Sequence, residues 1–178
     1  MEQRDNKKVF NRRRDERPRR EESEFDKKLV SVRRVTKVVK GGRTMRFSAV
    51  VVVGDKKGSI GIGMGKAKEV PLAIEKATAN GRKNMKKVNV VNGTIPHEIV
   101  ASFGASKIIL LPAKEGTGVI AGGSARSVIE LAGIRNIVTK NHGSSNKTNC
   151  VKATLKGLLS LRTKEEIAAL RGKSVEEI

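Results

Sequence analysis

From position 29 the chain alternates apolar and polar residues. In "LVSVRRVTKVV" leucine and valine recur among basic residues with the period of a half-buried strand. Lys40, Gly41, Gly42 and Arg43 then predict a hairpin turn, because glycine accepts the positive φ that tight hairpins require. "TMRFSAVVVVG" returns as a second strand, residues 55–58 turn again, and "SIGIGMGKA" is the third strand. "EVPLAIEKATANGRKNMKK" changes to helical spacing, with Leu72, Ile74, Ala77, Ala79 and Met85 expected to face inward. Pro71 falls in the first turn of that helix, where a missing N–H costs little.

Residues 88–91 predict a short strand, and "NGTIP" a linker into a second unit. There "HEIVASFGASKIILLPA" reads as two strands and "KEGTGVIAGGSARSVIELAG" as a glycine-rich loop before a helix over 124–132. "IRNIVTKNHG" is a further strand and turn. "SSNKTNCVKATLKGLLSL" is a helix with Val151, Leu155, Leu158 and Leu159 as its apolar stripe. "TKEEIAALRG" opens with Thr163 and has Glu166 three places on, the capping-box spacing. The expected class is α+β: three antiparallel strands plus a helix over 24–92, then a two-layer βαβα unit over 93–171. A basic tail over 1–23 and a frayed C-terminus over 172–178 flank them.

Charge sharpens this outline. The 178 residues include 38 Lys and Arg against 18 Asp and Glu, a net charge of +20. Such an excess repels itself unless a polyanion neutralises it, so nucleic acid leads and an anionic membrane surface comes second. Residues 29–92 hold 15 basic and 3 acidic side chains and residues 93–178 hold 12 and 7, so the first unit carries most of the field. Residues 1–28 have 11 basic and 8 acidic residues with almost nothing apolar to drive ordering, apart from a short helix expected within 22–28. In that tail Arg12, Arg13, Arg14, Arg17, Arg19 and Arg20 either solubilise the chain or settle on phosphates.

No run of 18 apolar residues exists to span a bilayer, and the N-terminus lacks the apolar stretch of a secretory signal. The single Cys150 excludes an internal disulfide and fits a reducing cytosol. Four Phe with no Tyr or Trp leave little for base-stacking platforms.

Enzyme readings find no support. Gly61, Gly63, Gly65 and Lys66 fail the Walker spacing, and Ala67 stands where Ser or Thr is needed. Alternating glycines share one face of a strand, open either to a packed helix or to a sugar-phosphate backbone. Gly122, Gly123, Ser124 and Arg126 stand at a loop-to-helix junction, which either holds a phosphate on free N–H groups or simply starts the helix. His97, His142 and Cys150 show no zinc spacing, so no metal site is expected, and His142 with Lys147 belongs to a polar loop suited to RNA.

The stretch from Gly41 to Ala77, "GGRTMRFSAVVVVGDKKGSIGIGMGKAKEVPLAIEKA", resembles the signature of the bacterial small-subunit ribosomal protein number five family. "LLPAKEGTGVIAGG", "VIELAGI" and "NHGSSNKTNCVKAT" resemble it as well, so the likeness runs from about residue 24 to the end. The resemblance implies a double-stranded-RNA-binding-like first domain. It implies a second domain of a fold shared with phosphate-handling ATPases and kinases, without their chemistry. It further implies a cytoplasmic, non-enzymatic constituent of the small ribosomal subunit with no cofactor, no membrane and no free homo-oligomer. Expected partners are small-subunit ribosomal RNA, proteins number four and eight with number three nearby, and messenger RNA where it enters the ribosome. Members of the family are associated with decoding accuracy and messenger unwinding. Their loop matching residues 36–43 reaches toward the RNA near the spectinomycin site.

The expected RNA contacts in the folded part are Arg33, Arg34, Lys37, Lys40, Gly41, Gly42, Arg43 and Arg46 of the hairpin. Lys56 and Lys57 of the next turn join them, with Lys66 and Lys68 after the third strand. Two rivals are set against this reading: a free-standing regulator of double-stranded RNA, and a metabolic enzyme of the phosphate-binding fold. The first leaves the second unit unexplained. The second needs a nucleotide loop and an acidic metal ligand.

Overall fold

The computed structural model describes residues 25–174 and Glu177. In chain order the elements are β1 (Asp26–Val39), β2 (Gly42–Gly54), β3 (Ser59–Ala67), α1 (Val70–Lys83), β4 (Lys86–Lys87), β5 (Ile99–Phe103) and β6 (Ser106–Pro112). They continue with β7 (Val119–Ile120), α2 (Gly123–Ala132), β8 (Ile137–Gly143), α3 (Lys147–Leu159) and α4 (Lys164–Arg171). One sheet has the order β1-β2-β3-β4, the other β5-β6-β8-β7, with β7 parallel to β8 and the remaining pairs antiparallel.

In the first sheet the register places Ala49, Val51 and Val53 of β2 beside Gly65, Gly63 and Gly61 of β3. Their common face is covered by α1, with Ala73 and Ala77 in the same apolar cluster. A Cβ on Gly63 would stand 1.8 Å from the Ala77 carbonyl oxygen, and one on Gly65 2.4 Å from that of Ala73. The alternating glycines are therefore the floor on which the helix backbone rests. This closeness also corrects part of the predicted helix face, where Ala77 and Ile74 do meet the cluster but Leu72 and Ala79 do not. Buried positions are Ala73, Ala77, Thr78 and Gly81, while Leu72 and Ala79 are exposed, because a helix seated this low has room only for small side chains.

The opposite face presents Val52 and Ile60 to the second unit, where they join Ile108, Leu110, Val128, Ile129, Ile137, Val151 and Leu158 in one core. Ile95 within the predicted linker is 1% exposed and belongs to that core. The Lys56 N–H donates to the Leu131 carbonyl at 3.0 Å, and Lys28 of β1 pairs with Glu130 of α2. At about 1.5–3 kcal/mol for each fully buried aliphatic side chain, this shared core couples the two units.

Other differences from the expected elements have local causes. Residues 26–28 extend β1 instead of forming a helix, since they pair with Val52, Val53 and Gly54, whereas 22–24 lie outside the described residues. The expected strand at 88–91 is displaced to Lys86–Lys87, because Val88 is drawn into the core and Val91 bridges Thr94 in a turn. β7 was not foreseen; two residues are too short for a periodic signal. Leu159 is 36% exposed at the end of its helix. The Thr163 and Glu166 capping box is formed, and Gly172 ends α4 in the left-handed conformation.

Candidate nucleic-acid interface

The sheet that is buried on both faces at one end is open at the other. β2 runs 13 residues, from Gly42 at the tip to Gly54 against α2, about 40 Å at roughly 3.3 Å per residue. Residues 41–46 are all exposed, as are Arg33, Arg34, Thr36, Lys37 and Lys40. No element of the described residues packs over this half.

Register sorts its charges by face. Arg33 pairs with Ser48, which pairs with Lys66, so both cations sit in one row on one face of the sheet. Arg46, opposite Val35, and Lys37, opposite Thr44, extend that face toward the tip. Arg34, opposite Phe47, and Arg43, opposite Val38, lie on the other face, where the Arg34 guanidinium meets the Met45 sulfur. At the tip Gly41 has φ +88°, and neither it nor Gly42 has an atom within 4 Å of a would-be Cβ. Lys40 and Arg43 flank a turn whose backbone an outside group can approach closely.

The remaining predicted residues fall elsewhere. Lys68 is exposed just before α1. Lys56 and Lys57 lie in the turn at the far end of the sheet, where the Asp55 carboxylate accepts from the N–H groups of Lys57 (2.7 Å) and Ser59 (2.9 Å). Burial works to raise the Asp55 pKa, but these backbone hydrogen bonds together outweigh it and hold it below the ordinary carboxylate value. Lys56 pairs with Asp26 at 2.5 Å, and that hydrogen bond and charge raise its pKa.

In the second unit Gly122 is the N-cap of α2 with no side-chain cap. A Cβ on Gly122 or Gly123 would meet nothing within 4 Å, Ser124 is half-buried, and Arg126 reaches the Val119 carbonyl at 3.4 Å. His142 and Lys147 are exposed on either side of the loop from β8 to α3. The tail arginines Arg12, Arg13, Arg14, Arg17, Arg19 and Arg20 lie outside the described residues.

Two basic features were missed. Lys86 and Lys87 line the edge of the first sheet, and the run "KNMKK" was the signal for them. Arg135, a single arginine between α2 and β8, had none, since only the fold brings it beside Lys56 and Lys57. Among the described residues no group of three His, Cys, Asp or Glu is able to hold a metal ion, and no helix is long and apolar enough to cross a membrane.

A basic two-unit α+β protein that leaves half of one cationic sheet uncovered belongs, by class, with proteins that lie on a polyanion. Comparison with known proteins agrees. The family model for the ribosomal protein S5 N-terminal domain matches residues 25–89, and that for the ribosomal protein S5 C-terminal domain matches residues 101–171. The small ribosomal subunit protein uS5 of Cupriavidus pinatubonensis is 58% identical over 151 residues, covering 85% of this chain and 88% of its own. The uS5 proteins of Cupriavidus taiwanensis and Ralstonia nicotianae match with the same identity and coverage. The chain belongs to the ribosomal protein S5 family, uS5.

Proposed function

We infer that the protein is a structural constituent of the small ribosomal subunit that binds ribosomal RNA through the open half of its first sheet and has no catalytic site of its own. The carrying observation is the uncovered hairpin with Arg33, Lys37, Arg46 and Lys66 on one face, in a family whose relatives are small-subunit proteins. Lysine and arginine on phosphates release counterions, and structured RNA, whose deep groove hides base edges, is read by shape. Residues 24–92 act as the main RNA-facing unit, while 93–171 also meets neighbouring proteins, the two braced by their common core.

The outer face of the second sheet supports contacts with neighbouring proteins. Val100 beside Ile109, and Leu111 beside Val138, which in turn neighbours Ile120, form two apolar rows, with Val100 54% and Ile120 52% exposed. Proteins number four and eight are the proposed occupants of this unit's surface, with number three nearby. The basic surface of the first unit is proposed to help shape the channel by which messenger enters, and so to support decoding accuracy.

The test is to tag the protein in its own cells, crosslink it to RNA and sequence what is attached, following the tag through a sucrose gradient. Crosslinks clustered in small-subunit ribosomal RNA, with the tag in that subunit's peak, are expected. Crosslinks scattered over structured transcripts, with the tag at the top of the gradient, would overturn this reading in favour of a free double-stranded-RNA regulator.

A further inference from the structure

A groove of about 680 Å³ opens where the two units meet, lined by the turn Lys56-Lys57-Gly58 from the first and by Gly133, Arg135 and Asn136 from the second. We propose that it seats a stretch of RNA backbone, with Lys57 and Arg135 closing on its phosphates from the two sides. This inference rests on the RNA-binding reading above and adds a second contact, about 40 Å along β2 from the hairpin tip.

Backbone strain in the described residues concentrates here. Lys56 (φ 58°) and Asn92 (φ 47°) are the only non-glycine residues among them with positive φ, and both line the groove. Such conformations cost about 1–3 kcal/mol each and persist where the surroundings over-determine them. At Lys56 the surroundings are identifiable: its N–H is held by the Leu131 carbonyl, and a Cβ on Gly133 would lie 2.2 Å from its carbonyl oxygen. On the other wall the Gly93 carbonyl accepts from Arg135 (2.8 Å) and Asn136 (3.1 Å). The Arg135 stem lies against Gly93, with its carbons 3.8–4.0 Å from the Cβ position there. The walls are fixed by backbone while their charged ends are left in solvent.

The available chemistry suits a sugar-phosphate chain. Lys56 is neutralised by Asp26, but Lys57 and Arg135 have no carboxylate partner among the described residues. Glu115, the one acid in the lining, pairs with neither of them. The Asn136 amide oxygen accepts from the Gly118 N–H at 3.1 Å, which leaves its NH₂ as a donor. The basic surface continues past Gly58, whose carbonyl accepts from the Val88 N–H, to the exposed Lys86 and Lys87 of β4. A basic surface that runs on beyond the groove in this way fits an extended polyanion better than a free nucleotide.

The test uses the full chain and a small-subunit ribosomal RNA transcript, with binding measured across salt concentrations. Lys57→Ala and Arg135→Ala are each expected to lower the log–log salt slope by about 0.9, or about 0.7 if the strand is single, and the double variant by about twice that. Arg135→Lys keeps the charge and should keep the slope. Unfolding curves of all four variants should match the unsubstituted chain, since both side chains are exposed. An unchanged slope in the double variant, while Lys40→Ala with Arg43→Ala lowers it, overturns the groove but leaves the RNA reading intact. Salt-insensitive binding by the unsubstituted chain would instead sink the RNA reading itself. A double variant that binds RNA normally but loses a neighbouring protein from assembled particles also overturns the proposal, assigning the groove to an acidic protein surface.

Discussion

Gly61, Gly63 and Gly65 lie beneath α1, with its carbonyl oxygens within 2.4 Å of where a Cβ would stand, whereas Gly41 and Gly42 at the hairpin tip have nothing within 4 Å. The same residue type therefore answers to opposite constraints at the two ends of one sheet. Under the helix glycine is required by what is already there. At the tip it is required by the positive φ of the turn, and it leaves the backbone open to whatever arrives from outside. The two turns differ in the same way: the one at 55–58 is tied down by the Asp55 carboxylate, while the one at the tip is held only by its own hydrogen-bonded strands.

Substitutions should expose this contrast in graded steps. Gly63→Val drives a branched side chain into the Ala77 carbonyl and should destabilise the protein by about 3 kcal/mol or more, read from urea unfolding. Because the units share a core, that loss should appear as one transition seen by probes in both units; two separate transitions would show that the core does not couple them. Asp55→Ala removes two hydrogen bonds to a charged acceptor and should cost about 2 kcal/mol.

The Asp55 contribution carries a pH signature. Its pKa is lower in the folded protein than in the unfolded chain, so its stabilisation is complete above about pH 4 and is lost as pH falls through the folded value. Asp55→Asn should therefore flatten that acid limb of the stability curve, and an acid limb identical to the unsubstituted protein's would remove the carboxylate from the account. At the open end effects on stability shrink. Gly41→Ala has room for its methyl but not the preferred φ, and should cost about 1 kcal/mol. Lys40→Glu with Arg43→Glu should alter stability by less than about 0.5 kcal/mol. The same pair should weaken ribosomal RNA binding and lower its salt slope by about 1.8 if both side chains meet duplex phosphates. Unaltered binding by that pair, with normal particles and normal spectinomycin sensitivity, would separate the hairpin from RNA.

Strands with a clear period and turns with clear chemistry were legible in the sequence. β3 falls on the predicted residues, Ser59–Ala67, and the Thr163 capping box forms as its spacing requires. Elements too short to repeat, β4 and β7, were misplaced or missed. On α1 the expected Ala77 and Ile74 do face the cluster, whereas Leu72 and Ala79 face solvent. The decisive fact was the depth at which β3 lets it sit. The hairpin's basic residues were legible as local density of charge, and Arg135 was not, because nothing near it in sequence marks it.

Taken by itself, the sequence determined the α+β class, the two-unit order, the hairpin with its glycine tip, the polyanion as partner and the family resemblance. Each of these follows from local periodicity, turn chemistry, summed charge or an extended motif, none of which needs a neighbour distant in the chain. Tertiary structure alone decided which role the β3 glycines play, which helix residues face inward, that Ile95 is buried in a shared core, and that Lys57 and Arg135 flank one groove. All four depend on how closely distant segments approach, and that distance is set by packing across the sheet, where Val52 and Ile60 meet the second unit.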